Sequence, residues 1–384
     1  MSTDVPPAPG RPAAAAPRFA LLAGRRRTAI AAVLAVVCGG PMVPRSLLPL
    51  PAGGGGVARA DADERVPPKV EAAVDRALAW MAKAQLPDGS WPQGQGASTA
   101  VPALAAKAFL SRGHVPGQGP YGENINRAID YVLTKQQPNG MLSAGNGNAS
   151  MYEHGIAAAM LGEAYGMVDD ARKNKIEAAL AKAVKMTLDA QAVRKDPLST
   201  GGWRYQRASP DSDISVTGWQ LMALRAAANC GAYVPKASLD AGREYVRRCA
   251  FRGGPGFTYQ AGHGTPGPAR TGTAIVSLEM LGEHRSPEAT AGGDYLLENP
   301  VGNPGEGFYY YSVYYVAQAL YHLGDKYYER GYPRLRDTLL SGQGPEGTWP
   351  VGSGQEQEAG EAYRTSMAVL ALCVPYRYLP LFQK

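Results

Sequence analysis

Apolar positions along the chain recur in two kinds of segment. In EAAVDRALAWMAKAQ, residues 71–85, they return at helical spacing on one side while charges fill the other, which predicts an amphipathic helix with one wet face. In TGWQLMAL from Thr217, HGIAAAML from His154 and TSMAVLAL from Thr365, small and apolar residues occupy most faces, with Leu at helical spacing. A helix of that kind is buried on all sides. The two kinds alternate, separated by Gly/Pro-rich loops that often carry Trp or Tyr.

Matching the chain to itself gives a period of roughly 50 residues, in the range of repeat architectures. The first copy runs from Val70 through Trp80 and the loop QLPDGSW (85–91) into a helix over 98–110. The second has a helix over 129–137, the turn PNG (138–140) and a helix over 151–165; the third has 176–192, GGWRYQ (201–206) and 213–229. The fourth has 239–249, GGPGFTYQ (253–260) and 271–282; the fifth has 291–298, GNPGEGFYYY (302–311) and 312–323. The sixth has 335–340, GPEGTWP (344–350) and 362–374. Six buried helices enclosed by six amphipathic ones predict an all-α, (α/α)6 toroid over residues 67–384, because closing the ring covers every apolar flank. An open superhelix of helix pairs is the alternative, but its end repeats need polar outer faces. The last copy, with Met367, Val369, Leu370 and Leu372, is as apolar as the middle ones, which favours closure.

Composition adds two points. Six Phe against 21 Tyr gives an aromatic surface that carries hydroxyls. The net charge of +6 includes Arg25, Arg26 and Arg27, and no basic run in the repeats suggests a nucleic-acid partner. Those arginines precede a short apolar run over 28–37, the layout of an export signal, so residues 1–66 are expected to be signal and leader. Ala58-Arg59-Ala60 offers one cleavage site and the region of Gly40 another; an uncleaved short anchor is the third option. The paired arginines permit a twin-arginine route, and the expected location is periplasmic or secreted, with membrane-surface contact left open. Cys230, Cys249 and Cys373 fit neither a zinc clip nor a disulfide framework; Cys230 and Cys249 are either a pair or, as expected, buried thiols.

The segments QLPDGSW, GGWRYQ, DSDISVTGWQLMAL, PEGTW and AYRTSMAVLAL resemble the repeats of the prenyltransferase and squalene-cyclase superfamily, whose loops carry Q-x-x-x-G-x-W motifs. The resemblance covers about residues 66 to 380 and implies a terpenoid-cyclase-like toroid. It also implies a role for Asp211-Ser212-Asp213. In squalene-hopene-type cyclases a D-x-D-D-T motif supplies the acid that protonates an alkene or epoxide, which makes Asp213 the donor and Asp211 its partner. Ile214 stands where the third acid of that motif belongs, and a single toroid lacks the second domain that helps to enclose a triterpene in those enzymes.

From the residues alone, two carboxylates close together in a cavity of low dielectric cannot both ionise easily, so one keeps its proton. The competing reading makes Asp211 or Asp213 an N-cap of the following helix. Around the mouth where the loops enter the inner helices, the other candidate ligand contacts are Glu153, His154, Arg270, Tyr309, Tyr311, Tyr314, Glu361 and Arg364. Glu153 and His154 suit acid–base work or plain capping. The tyrosines offer faces and hydroxyls to a carbocation, a cationic ligand or a sugar. Trp91, Trp203 and Trp349 are expected to tie loops to helices.

The zinc set of a protein prenyltransferase needs Asp and Cys on the fifth inner helix, and YYYSVYYVAQAL has neither; His263 and His322 make a poor set alone. No thioester Cys-Gly-Glu-Gln and no phosphate-cradling loop occurs, so neither a cofactor nor a metal is expected. The expected ligand is a hydrophobic, isoprenoid-like molecule, with a peptide or glycan as the alternative. Three functions stay open: a cyclase-like acid catalyst, a non-catalytic binding or scaffold protein, and a polysaccharide lyase or hydrolase with paired acids such as Asp213 and Glu361.

Overall fold

The computed structural model describes residues 66–94, 96–145, 150–305, 307–350 and 352–379. The expected signal and leader therefore lie outside the described residues, apart from Val66. Helices follow in pairs: α1 (Pro68–Ala84) and α2 (Ala100–Ser111), α3 (Gly122–Thr134) and α4 (Ser150–Ala164), α5 (Asp170–Gln191) and α6 (Ile214–Asn229). Then come α7 (Lys236–Arg248) and α8 (Pro268–Met280), α9 (Pro287–Glu298) and α10 (Tyr309–Leu323), and α11 (Asp325–Gly342) with the short α12 (Gly354–Glu358) and α13 (Glu361–Leu372). A 3-10 turn over Val374–Tyr376 follows, and among the described residues there is no strand beyond isolated bridges. None of these helices is long and apolar enough to cross a membrane.

The small-residue helices are the buried layer. Every residue of α2 except Ala100 is buried, and α6 is buried without a break from Ile214 to Leu224. α2 packs on α4, α4 on α6, α6 on α8, α8 on α10, α10 on α13, and α13 returns to α2, so the contacts form a closed, toroid-like circuit. Small residues let these helices approach closely. A Cβ on Gly218 of α6 would stand 2.3 Å from the Thr273 methyl of α8. The amphipathic helices lie outside, each with its apolar face on the ring.

One latch recurs in the loops. Gln85, Gln136, Gln191 and Gln343 each donate through Nε2 to the carbonyl of a loop glycine and to a carbonyl of the next outer helix. The glycine partners are Gly89, Gly140, Gly201 and Gly347; the helix partners are Asn124, Ala179, Ser238 and Ala73. The indoles of Trp91, Trp203 and Trp349 are buried and donate at 2.8 Å to Met81, Thr187 and Leu339 of their own outer helices.

Several elements differ from expectation, α3 and α5 by beginning at Gly122 and Asp170 rather than at 129 and 176. The tyrosine run expected in the fifth loop is the first turn of α10, because buried Glu356 on α12 accepts the N–H of Tyr310 (3.3 Å) and Tyr311 (2.9 Å). α11 begins well before the expected 335 and carries Pro333 inside it. Cys230, Cys249 and Cys373 are free thiols, and Cys230 donates to the Gly162 carbonyl at 3.1 Å.

Candidate functional site

The loop between α5 and α6 places Asp213 by pinning it from both sides. Its N–H donates to the Trp203 carbonyl at 2.9 Å, while the Trp203 N–H donates to Thr217 Oγ1 at 3.0 Å, one turn inside α6. The side chain has no exposed surface. Oδ1 accepts the Val216 N–H at 2.9 Å, which makes Asp213 the N-cap of α6. Oδ2 lies 3.4 Å from Arg204 Nη1, and Arg204 Nε lies 3.3 Å from Asp211 Oδ2. Asp211 is partly exposed and also accepts from Gln260 Nε2 at 3.2 Å. Burial pushes the Asp213 carboxyl up to about 7, against the Val216 N–H and the Arg204 charge, both of which favour the carboxylate. Near neutrality this group is poised between acid and anion.

Phenols surround it. The Arg204 guanidinium sits 4.4 Å from the ring of Tyr205 and 5.3 Å from that of Tyr259, and the two hydroxyls are hydrogen-bonded to each other. Tyr152, on the first turn of α4, has its ring 5.9 Å from Tyr205. Burial, and then the nearby charges of Asp213, Tyr311, Tyr259 and Tyr205, hold the Tyr152 hydroxyl well above the usual phenol range. Tyr311 projects from the first turn of α10, its ring 5.0 Å from Tyr315, and its hydroxyl is raised above the usual phenol range by burial. The Tyr363 phenol is raised by burial and then by Glu356 and Tyr311. Asp213 thus lies among tyrosines from α4, α10 and two loops.

Of the residues singled out in the sequence, Asp211, Asp213 and Tyr311 share this site. His154 is buried elsewhere: Leu142 N–H donates to its Nδ1 at 3.1 Å, which places the ring hydrogen on Nε2, 2.9 Å from Thr187 Oγ1. Burial lowers its pKa to about 3, so the ring is neutral. His154 does for its loop what Thr217 and Thr271 do for theirs, accepting a loop N–H. Glu153 Oε2 accepts from Thr99 N (2.9 Å) and Ala144 N (3.0 Å), tying the second loop to the start of α2. Arg364 donates to the carbonyls of Trp349 and Pro350 at 2.9 Å and of Glu356 at 3.0 Å. Glu361 accepts from Thr348 Oγ1 at 2.6 Å, and Arg270 Nη1 donates to Thr265 O at 2.5 Å. Tyr309 is buried edge-on to Tyr310, and Tyr314 stacks on Trp219 at 5.4 Å, one turn below Tyr311.

Sequence reading missed Arg204, Tyr152, Tyr205, Tyr259 and Tyr363. The signal was present: Tyr205 and Tyr259 stand next to last in the matched segments GGWRYQ and GGPGFTYQ, and Tyr152 and Tyr363 both stand two residues before the matched His154 and Thr365. Among the described residues, no group of three or more His, Cys, Asp and Glu side chains is placed to hold a metal ion.

The sequence matches no protein-family model. No curated protein matches it either. Solved structures do. A variant of the type II terpene cyclase MstE from Scytonema, in complex with geranylgeranyl dihydroxybenzoate, is similar with a TM-score of 0.52 and 14% identity, over 81% of this chain and 98% of that one. A wild-type glycosidase is similar with a TM-score of 0.53 and 12% identity, over 81% of this chain and 98% of its own. A protein from Actinoplanes gives a TM-score of 0.50 at 16% identity, over 79% of this chain and 98% of that one. The chain therefore has the terpenoid-cyclase-like all-α fold expected from its repeats, a fold that also carries glycosidases. Reaction type has to be read from the site.

Proposed function

We propose that residues 67–384 form an (α/α)6 toroid whose mouth takes a hydrophobic, isoprenoid-like ligand and delivers a proton to it from Asp213. The observation that carries this reading is a fully buried carboxyl, raised to about 7, facing a set of tyrosines. Oδ1 is committed to the Val216 N–H, so Oδ2 is the oxygen that carries the acid proton. Transfer of that proton to an alkene or epoxide leaves a carboxylate beside Arg204 and a cation on the ligand. Arg204 stabilises the first and tyrosine faces stabilise the second. The cation is quenched by loss of a proton to water. Asp211 is a positioning group that fixes Arg204.

Asp213→Asn tests the role of the acid without removing the cap, because Asn caps helices as well as Asp and has no proton to give. Conversion of geranylgeraniol by the full chain, followed by gas chromatography, should fall by about 100-fold or more. Product formation undiminished in Asp213→Asn would falsify the acid role. A second reading, non-catalytic binding, is favoured by the cap itself, which accounts for Asp213 without chemistry. Under that reading wild type forms no product, and Tyr311→Ala weakens geranylgeraniol binding while Asp213→Asn does not.

A further inference from the structure

Below the mouth, Lys107 of α2 and Glu163 of α4 form an ion pair at 3.2 Å with essentially no exposed surface on either side chain. Burial pulls the Lys107 pKa down, but the Glu163 carboxylate and the Tyr314 hydroxyl together offset it and hold the ammonium above the ordinary lysine range. Lys107 Nζ also lies 3.5 Å from the Tyr314 hydroxyl of α10 and 5.6 Å from the Trp219 ring of α6. α2, α6 and α10 are not neighbours around the ring, so side chains that meet from all three stand on its axis. Trp219 and Tyr314 stack 12° from parallel, and Gln318, one turn further along α10, donates through Nε2 to the Tyr314 carbonyl at 3.3 Å. Two polar atoms in this group, Trp219 Nε1 and Gln318 Oε1, have no hydrogen-bond partner, although both residues are fully buried. A buried polar atom left without a partner is costly enough to be rare in folded proteins.

We infer that this axial group is a second ligand site, one that takes the hydroxyl of a neutral alcohol. The unpaired atoms are one donor and one acceptor, and an alcohol oxygen is both: it accepts from the indole N–H and donates to the amide oxygen. The rest of the site disfavours charge. A cation would face the Lys107 ammonium, and an anion would have to displace Glu163 from it. Gln318 lies seven residues along α10 from Tyr311, about 10 Å at the helical rise, so a chain lying in the mouth would present its end group here. The inference rests on the reading that a hydrophobic ligand occupies the mouth, and it adds that the ligand is a long-chain alcohol bound hydroxyl-first.

The test compares geranylgeraniol with its methyl ether, which has the same chain but no hydroxyl hydrogen, by equilibrium dialysis against the full-length protein. Wild type should bind the alcohol about tenfold or more tighter than the ether. Gln318→Met, which keeps the volume and removes the acceptor, should cut that preference to below about twofold while leaving ether affinity unchanged. Trp219→Phe reads the donor side should Gln318→Met fail to fold: an ether oxygen accepts as an alcohol oxygen does, so losing the indole N–H should weaken both probes, by about tenfold, and leave their ratio. Equal affinity for the two probes in wild type, a preference that survives Gln318→Met, or affinities unmoved by Trp219→Phe, overturns the site; failure of both probes to bind overturns it together with the mouth reading. Proton transfer is read separately through Asp213→Asn. Lost conversion with alcohol preference intact leaves the axial site standing, and lost preference with conversion intact removes the axial site alone.

Discussion

Asp213 divides its two oxygens between two roles, and the division has a cost that varies with pH. In the unfolded chain its pKa is the ordinary 3.8, while in the fold it is about 7. Between those values the folded state holds a proton that the unfolded state has released, so stability falls as pH rises from about 4 to about 7. At one pH unit per 1.36 kcal/mol the full penalty is about 4 kcal/mol. His154 sets the opposite slope: with its pKa depressed from 6.5 to about 3, stability falls as pH drops below 6.5. Asp213→Asn keeps the cap and abolishes the upper slope, so urea midpoints of variant and wild type should lie close at pH 4 and separate at pH 8, with the variant more stable. Equal separation at both values would mean that Asp213 is not held protonated. This residue was legible in the sequence because the acid and its helix are adjacent. Tyr311 was legible too, as part of the tyrosine run of the fifth repeat, but the neighbours Tyr152 and Tyr259 were not, since they come from two other repeats and only the closed ring brings them together.

Among elements, helices were the legible part and their ends were not. Periodicity reports which face is buried, whereas the start of α10 depends on Glu356, which lies 45 residues from Tyr311 along the chain and acts only after the sixth repeat has docked. The latch was half visible. The Gln-to-Gly spacing of the first loop could be read as a family motif, but the reason for it is a contact with another repeat. Gly201 has φ of +90°, and a Cβ there would lie 2.2 Å from the Ala241 carbonyl oxygen of α7. Gly231 has nearly the same φ, +87°, with nothing within 4 Å of its Cβ position. Comparing the two separates backbone strain from close approach. Gly231→Ala should cost about 1 kcal/mol, the left-handed strain alone, and Gly201→Ala at least about 2 kcal/mol more, because backbone must move. Chemical denaturation of both variants measures the difference; equal losses would show that the loop gives way without cost.

For the whole molecule, the question is whether the first and last repeats meet as firmly as any other pair. Around an open superhelix the terminal seam does not exist, and a residue there contributes little. In this chain Gln343, in the last loop, donates at 2.8 Å to the Gly347 carbonyl and at 2.8 Å to the Ala73 carbonyl of α1, the first helix. Gln191, between the third and fourth repeats, makes the matching pair to Gly201 (2.7 Å) and Ser238 (3.0 Å). Each glutamine satisfies two carbonyls, one in its own loop and one in the next outer helix, so removing it leaves acceptors unpaired at a partly buried seam. If the ring is closed in solution, Gln343→Ala and Gln191→Ala should each lower stability by about 1–3 kcal/mol and by similar amounts. Urea unfolding of the two variants beside wild type decides the matter. A loss confined to Gln191→Ala, with Gln343→Ala near zero, would mean that the last repeat does not hold the first. The axis would then be open along one side, and Lys107, Trp219 and Tyr314 would have no enclosed site to form.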